Sequence, residues 1–341
     1  MKEALFYEQI PGEKEQGGSD VRCHLCAHAC LIHAGQRGIC AVRENQGGTL
    51  YTLVYGKVIS NNIDPIEKKP IFHMLPGSTS LSIATVGCNF RCKHCQNYEI
   101  SQYPRERRFE VPGTEMTPLD VVALAERYGC ESISYTYTEP TIFFEFAYDC
   151  ARLAHEKGKK NVFVSNGYTG PGATKMIAPY LTANNIDLKG SDTFYRDICG
   201  ARLSPVLDTI RLMKELGVWV EVTTLIIPGL NDSEKDLSDI ASFLVSVDPS
   251  IPWHVSGFHP TYKLMDRPST SLESLRKAVE IGYAVGLRYV YVGNVSGEDG
   301  ENTYCPSCRA RLIHRVGYRI GENRLRKGRC PECSWVIQGI W

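Results

Sequence analysis

The stretch Leu81-Ser-Ile-Ala-Thr-Val86-Gly87-Cys88-Asn-Phe-Arg-Cys92-Lys-His94-Cys95 decides how this chain is read. Residues 81–86 have the apolar, β-rich character of a buried strand, and Gly87 supplies a turn. Cys88, Cys92 and Cys95 then follow in a Cys-x3-Cys-x2-Cys run, so one loop carries three thiolates. Soft sulfur ligands suit iron–sulfur clusters, and three of them hold three irons of a [4Fe–4S] cube. The spacing offers no fourth ligand, which leaves one iron open to chelate a small molecule. A purely electron-carrying cluster is closed by a fourth cysteine. The loop therefore points to chemistry at a strand end rather than to storage of electrons.

Outward from this motif the chain alternates strand and helix. Apolar strand signals recur at 81–86, 132–137, 161–165, 184–188, 218–227, 253–258 and 288–292. Helix signals lie between them. Thr117-Pro118 with Asp120 opens one that stops at Gly129, Ser204-Pro205 opens one that stops at Gly217, and Ser269-Thr270 opens one that stops at Gly286. Repeated βα units predict a parallel sheet with right-handed crossovers, and the tally is close to a partial (β/α)6 barrel. Active residues of such barrels sit at strand C-terminal ends, where Cys88 falls.

With its cysteine triad the chain resembles the radical S-adenosylmethionine (SAM) enzymes. Across its length it is similar to the AmmeMemoRadiSam-system radical SAM proteins, and through them to pyruvate formate-lyase activating enzymes. The resemblance implies an α/β fold: a partial (β/α)6 TIM-type radical SAM barrel flanked by an N-terminal Cys-rich module and a C-terminal zinc ribbon-like module. It implies a [4Fe–4S] cluster whose open iron binds SAM, and an electron donor such as a flavodoxin or ferredoxin. It also implies reductive cleavage of SAM to a 5′-deoxyadenosyl radical that abstracts hydrogen from a substrate. Memo-like and AMMECR1-like proteins are the partners it suggests.

The same resemblance nominates cofactor contacts. His94 stands where the superfamily usually has an aromatic residue lying against the cofactor. Glu139 in Tyr135-Thr-Tyr-Thr-Glu139, with Thr138, occupies the place of a Gly-Gly-Glu segment that meets the SAM amino group. Asn166 in Ser-Asn166-Gly167 resembles a Thr-Asn-Gly, and Asp187 and Lys189 resemble an Asp-x-Lys pair that meets sugar hydroxyls and carboxylate. His254 is read as ending the sixth strand, at the position of a SAM-contacting histidine, with His259 a substrate-side companion. The loop Ile227–Asp232 is read as shaping the adenine pocket. Each residue also has a plainer reading: a turn acid at Glu139, an Asn-Gly turn at Asn166, an ion pair at Asp187 and Lys189, a core histidine at His254.

Two further cysteine sets flank the core. Cys305, Cys308, Cys330 and Cys333 form two Cys-Pro-x-Cys knuckles, the spacing of a structural zinc ribbon. Cys23, Cys26, Cys30 and Cys40 fit either zinc or a second [4Fe–4S] cluster, and nearby His24, His28 and His33 complicate the ligand choice. Zinc is favoured, because nothing in that stretch demands electron flow. Cys130, Cys150 and Cys199 have no partner spacing and read as packed thiols. The domains expected are 1–75, Cys-rich module and linker; 76–298, radical SAM core; and 299–341, zinc ribbon-like tail.

Composition narrows the classes. A 341-residue chain with 43% apolar residues, 38 basic and 38 acidic side chains can bury a full core without a general nucleic-acid or anionic-membrane surface. No apolar run reaches the roughly 18 residues of a membrane helix, and the Met-Lys-Glu start lacks a secretory pattern. Fourteen cysteines without such a signal mean metal ligands in a reducing cytoplasm. The reading is a radical SAM oxidoreductase. The rivals are a glycyl-radical enzyme activase and a non-catalytic zinc-stabilised adaptor.

Overall fold

A computed structural model describes residues 1–10, 19–295 and 299–341 of the protein. The expected boundary at 298/299 touches residues 296–298, which lie outside the described residues. At the centre is an eight-stranded sheet: β1 (Ser60–Pro65), β2 (Thr79–Ala84), β3 (Ser132–Tyr135), β4 (Lys160–Ser165), β5 (Ala183–Asp187), β6 (Trp219–Ile226), β7 (Trp253–Gly257) and β8 (Val290–Gly293). The strands lie side by side in chain order, β2 to β8 all parallel and β1 antiparallel along one edge. The first and last strands do not pair, so the sheet stays open. Ser60–Pro65, counted from sequence with the module and linker, is thus part of the central sheet, paired Ile63 to Leu81.

Six helices span the crossovers: α1 (Pro118–Arg127), α2 (Phe144–Glu156), α3 (Pro171–Ile177), α4 (Ser204–Glu215), α5 (Glu234–Val247) and α6 (Leu272–Val285). Right-handed crossovers between strands laid down in one direction put every helix on the same face of the sheet. That leaves the opposite face and the strand C-terminal ends for a site. The helices bury regular stripes, such as Leu237, Ile240, Ala241 and Leu244 of α5 and Leu275, Ala278 and Gly282 of α6. The capping box expected at Thr117 is present: Asp120 Oδ2 accepts from Thr117 N–H at 2.7 Å and Thr117 Oγ1 accepts from Asp120 N–H at 3.2 Å. β3 is buried at all four positions, as a strand covered on both faces must be.

The N-terminal module is two small three-stranded sheets, and the tail is a third, built from Thr303–Tyr304, Arg311–Val316 and Arg319–Asn323. A buried ion pair, Arg43 Nη1 to Glu145 Oε1 at 3.0 Å, joins the N-terminal module to α2. Removing one partner of such a pair strands a charge and costs about 3–5 kcal/mol. The tail docks by its last residues: Ile340 N–H donates to His73 at 2.7 Å and its carbonyl accepts from Leu75 at 2.8 Å. Among the described residues no helix is long and apolar enough to cross a membrane.

Candidate active site

The cysteine loop leaves the C-terminal end of β2 and is held mainly through its backbone. Arg105 donates to the carbonyls of Cys88 at 2.6 Å, Phe90 at 2.9 Å and Ile39 at 3.0 Å, tying the loop to the N-terminal module. From the other side, the amides of Arg91 and Lys93 donate to the carbonyls of Cys199 and Ile198 at 2.8 and 3.0 Å. Those carbonyls belong to a π-helical turn, Tyr195–Cys199, a wide turn that recurs at functional sites. Gly87 has φ 99°, and a Cβ there would fall 2.7 Å from Val42 Cγ1. Only glycine fits between the module and the loop.

Cys92 is buried, and Cys88 and Cys95 are half-buried. Burial lifts the Cys88 and Cys95 thiols, whereas Cys92 is lifted first by its hydrogen bond with Cys199 and then by burial. Thiols in so dry a setting ionise only when a metal takes the place of the proton. The donor set suits a cluster better than one ion. Among the described residues, Cys305, Cys308, Cys330 and Cys333 are the one group of three or more donors lying within 4.8 Å of one another. The triad's sulfurs stand further apart, as they must when each ligates a separate iron of a cube.

His94 is buried beside the triad, its ring 5.9 Å from that of Phe194 and its Nδ1 without a partner. Burial, then the charge of Lys189, pushes its pKa down to about 3, so the ring is neutral. An orphaned buried nitrogen is an atom that a bound ligand would satisfy. Asp187 is the last residue of β5, and Lys189 Nζ lies 2.6 Å from its Oδ2. Burial would lower the Lys189 ammonium, yet Asp187, Cys92 and Cys199 together hold it well above its usual value. Asn231 of the 227–232 loop donates to the Lys189 carbonyl at 2.7 Å. The end of β5 thus brings a charged pair to Cys92 and to the neutral ring of His94, which the loop after β2 carries.

Asn166 stands at the opposite side of the loop, donating to Asn89 Oδ1 at 2.7 Å, with its Nδ2 3.9 Å from Cys88 Sγ. Glu139 takes the plainer of its two sequence readings, a turn acid. It is fully buried, Oε1 accepting from Thr141 N–H at 3.0 Å, Thr141 Oγ1 at 2.7 Å and Ser165 Oγ at 2.9 Å, and Oε2 from Asn166 N–H at 2.8 Å. Burial raises its pKa even against these hydrogen bonds. With both oxygens occupied it holds the turn after β4 in place. Thr138 Oγ1 is likewise committed, to the Thr85 carbonyl at 2.9 Å.

His254 is corrected outright. β7 begins at Trp253, so His254 is its second residue and sits at the end of the sheet away from the triad. Its Nε2 lies 2.6 Å from Glu221 Oε2, and its ring packs 4.8 Å from Phe72 and 5.3 Å from Tyr291. It is a satisfied core histidine. His259 follows the true strand end, exposed, with Nδ1 3.2 Å from Ser269 Oγ. Arg105, Asn89 and Cys199 escaped the sequence reading. No spacing marks the first two, and Cys199 meets Cys92 only through the fold.

Comparisons with known proteins agree with this geometry. Residues 82–244 match the radical SAM superfamily. The chain is 50% identical to the uncharacterized protein MJ0808 of Methanocaldococcus jannaschii, over 99% of both chains. It is 23% identical to a pyruvate formate-lyase-activating enzyme of Clostridium pasteurianum, over 56% of this chain and 82% of that one. In fold it is similar to a radical SAM methyltransferase from Sphaerobacter thermophilus, with TM-score 0.51, 14% identity and coverage of 85% and 78% of the two chains. A three-thiol loop at a parallel strand end, a superfamily match that begins in that strand and homology to an activating enzyme agree: this chain carries a radical SAM domain over residues 82–244.

Proposed function

We propose that the protein binds SAM at the Cys88/Cys92/Cys95 loop and uses it as a source of the 5′-deoxyadenosyl radical. The observation that carries this reading is the convergence of three buried or half-buried thiols and the neutral ring of His94 after β2 with the Asp187–Lys189 pair after β5. When bound, a [4Fe–4S] cluster supplies one electron to SAM on its open iron, and the radical released takes hydrogen from a substrate. The chain's own residues then have separable roles. Cys88, Cys92 and Cys95 hold the cluster, and Asn166 with Asn89 fixes the loop behind Cys88. The Lys189 ammonium suits a carboxylate, Asp187 suits sugar hydroxyls, and His94 offers Nδ1 and a flat face to the ligand.

The test is anaerobic reconstitution with iron and sulfide, followed by dithionite and SAM, with 5′-deoxyadenosine as the readout. Product is expected from the wild type and none from Cys92→Ala. No product from a wild type carrying its iron would sink the proposal.

A second reading, a glycyl-radical enzyme activase, is favoured by the homology to the pyruvate formate-lyase-activating enzyme. A glycine-centred radical signal on a partner protein after turnover distinguishes it from action on a small molecule. We further propose, on sequence resemblance, membership of the AmmeMemoRadiSam group, a flavodoxin- or ferredoxin-type donor, Memo-like or AMMECR1-like partners and a cytoplasmic setting. For the tail we propose zinc. Sγ separations of 3.6 Å for Cys305–Cys333 and Cys308–Cys330 support it, since thiolates about 2.3 Å from one tetrahedral ion must crowd this closely.

A further inference from the structure

We propose that Cys23, Cys26, Cys30 and Cys40 hold a second, fully ligated [4Fe–4S] cluster rather than zinc. The tail supplies an internal standard. Its four sulfurs all lie within 4.8 Å of one another, the grouping that one ion needs, and among the described residues the N-terminal four do not gather in this way. They instead line a small, partly open space of about 20 Å³ walled by apolar side chains such as Ile32. A zinc ion would draw its four ligands within reach of one another, whereas a cube keeps its thiolates apart on separate irons.

Two more observations bear on the ligand set. No histidine lines that space, and each nearby ring has a contact elsewhere: His24 Nε2 with Glu8 at 3.0 Å, His28 Nε2 with the Asn89 carbonyl at 2.8 Å, and His33 Nδ1 with Asp20 at 2.7 Å. The donors that face it are the four thiols. Arg43 also lines the space, and its buried Nε–H has no partner in the protein. An N–H left unpaired in an otherwise satisfied core has a natural acceptor in a cluster or thiolate sulfur.

Four thiolates leave no open iron, so this cluster cannot bind SAM as the triad can. Its position is informative nonetheless. Arg105 bonds both the Ile39 carbonyl, next to Cys40, and the Cys88 carbonyl, so the two cysteine loops share one guanidinium.

The test uses the full chain, purified without air, with all three triad cysteines changed to alanine. The expected result is about four irons, matching sulfide and about one zinc per chain, with a reduced-cluster EPR signal that SAM does not alter. Absence of iron together with about two zinc ions overturns the proposal. If the triple variant does not fold, the wild type serves: about eight irons and one zinc support the proposal, and about four irons and two zincs overturn it. Cys26→Ala/Cys30→Ala is then expected to lose half the iron. The SAM reading fails separately. Wild type and triple variant both holding about four irons would remove the triad cluster and leave this one standing.

Discussion

The backbone N–H of Asn166 donates to Oε2 of Glu139 across 2.8 Å, in a site fully closed to water. That bond sets the turn after β4, and the side chain of the same Asn166 reaches Asn89 in the cysteine loop. A carboxylate is therefore the peg on which one wall of the site hangs. Glu139→Gln would turn an amide N–H toward a donor, either Asn166 N–H or the Thr141 group. The expected cost is about 1–3 kcal/mol of stability, measured by urea unfolding, with a loosened triad loop and a lower iron content per chain. A variant as stable as wild type with unchanged iron would show that the peg carries no load.

On the proposed reading, the Asp187–Lys189 pair, 2.6 Å apart, receives the carboxylate and sugar of SAM. Lys189→Met keeps the length of the chain and removes the charge, while Asp187→Asn keeps the shape and removes the acceptor strength. Charged hydrogen bonds of this kind are worth about 1.5–3 kcal/mol, so SAM affinity is expected to fall roughly 10- to 100-fold in each variant. Calorimetry on the iron-loaded protein measures it, and iron content should not change. Wild-type affinity in both variants would remove the pair from the SAM site.

Local signals explain what was legible from sequence. A strand, a turn glycine and three cysteines at fixed spacing are contiguous, so the triad and its strand could be read directly. The capping box at Thr117 and the stop glycines at 129, 217 and 286 likewise act within a few residues. His254 failed because the strand read at 253–258 does begin at Trp253, which puts His254 near its N-terminal end, whereas the resemblance places it at the strand's C-terminal end. The setting of Glu139 was not legible because its four donors come from Thr141, Ser165 and Asn166, two of them on another strand's end. Cys199 and Arg105 act across 107 and 17 residues on Cys92 and Cys88, and no pattern in the chain announces such pairs.

His73 couples the tail to the sheet and should mark acid unfolding. Its Nδ1–H donates to the Gln338 carbonyl at 2.7 Å and its Nε2 accepts from the Tyr291 hydroxyl at 2.6 Å, which fixes a neutral ring. Burial, only partly countered by Glu221, lowers its pKa to about 4 from an ordinary 6.5. A histidine depressed in the folded state takes up its proton more readily when unfolded. Its contribution is therefore whole above pH 6.5 and is lost as pH falls from there to about 4. The loss is on the order of 3 kcal/mol. Urea midpoints at stepped pH values should fall across that window, and less steeply in His73→Gln.

The tail's sulfurs already stand at tetrahedral spacing, so metal removal should release the tail rather than the barrel. A chelator, or Cys308→Ser, is expected to free about one metal ion per chain and expose residues 299–341 to protease. Without the metal, the tail is still docked by a buried cluster of Leu312, Ile313 and Ile337 against Phe72, Tyr289 and Tyr291, and by Ile340, Gln338 and Arg315, which donates to the Phe72 carbonyl at 2.8 Å. A tail that stays protected without its metal would show that those contacts suffice.

Cys199 decides whether the triad is truly a set of three. A hydrogen bond between its thiol and that of Cys92 helps raise the pKa of Cys92, so a fourth sulfur lies beside one member of the triad. Its carbonyl, by contrast, holds the loop through Arg91 N–H, and that contact survives a side-chain change. Cys199→Ala should therefore cost about 1 kcal/mol of packing and leave both the cluster and its SAM-dependent product intact. Cys92→Ala should lose both. Iron analysis, EPR with and without SAM, and 5′-deoxyadenosine yield measure the contrast. If Cys199→Ala loses iron as Cys92→Ala does, a protein sulfur closes the fourth corner and SAM has no iron to bind.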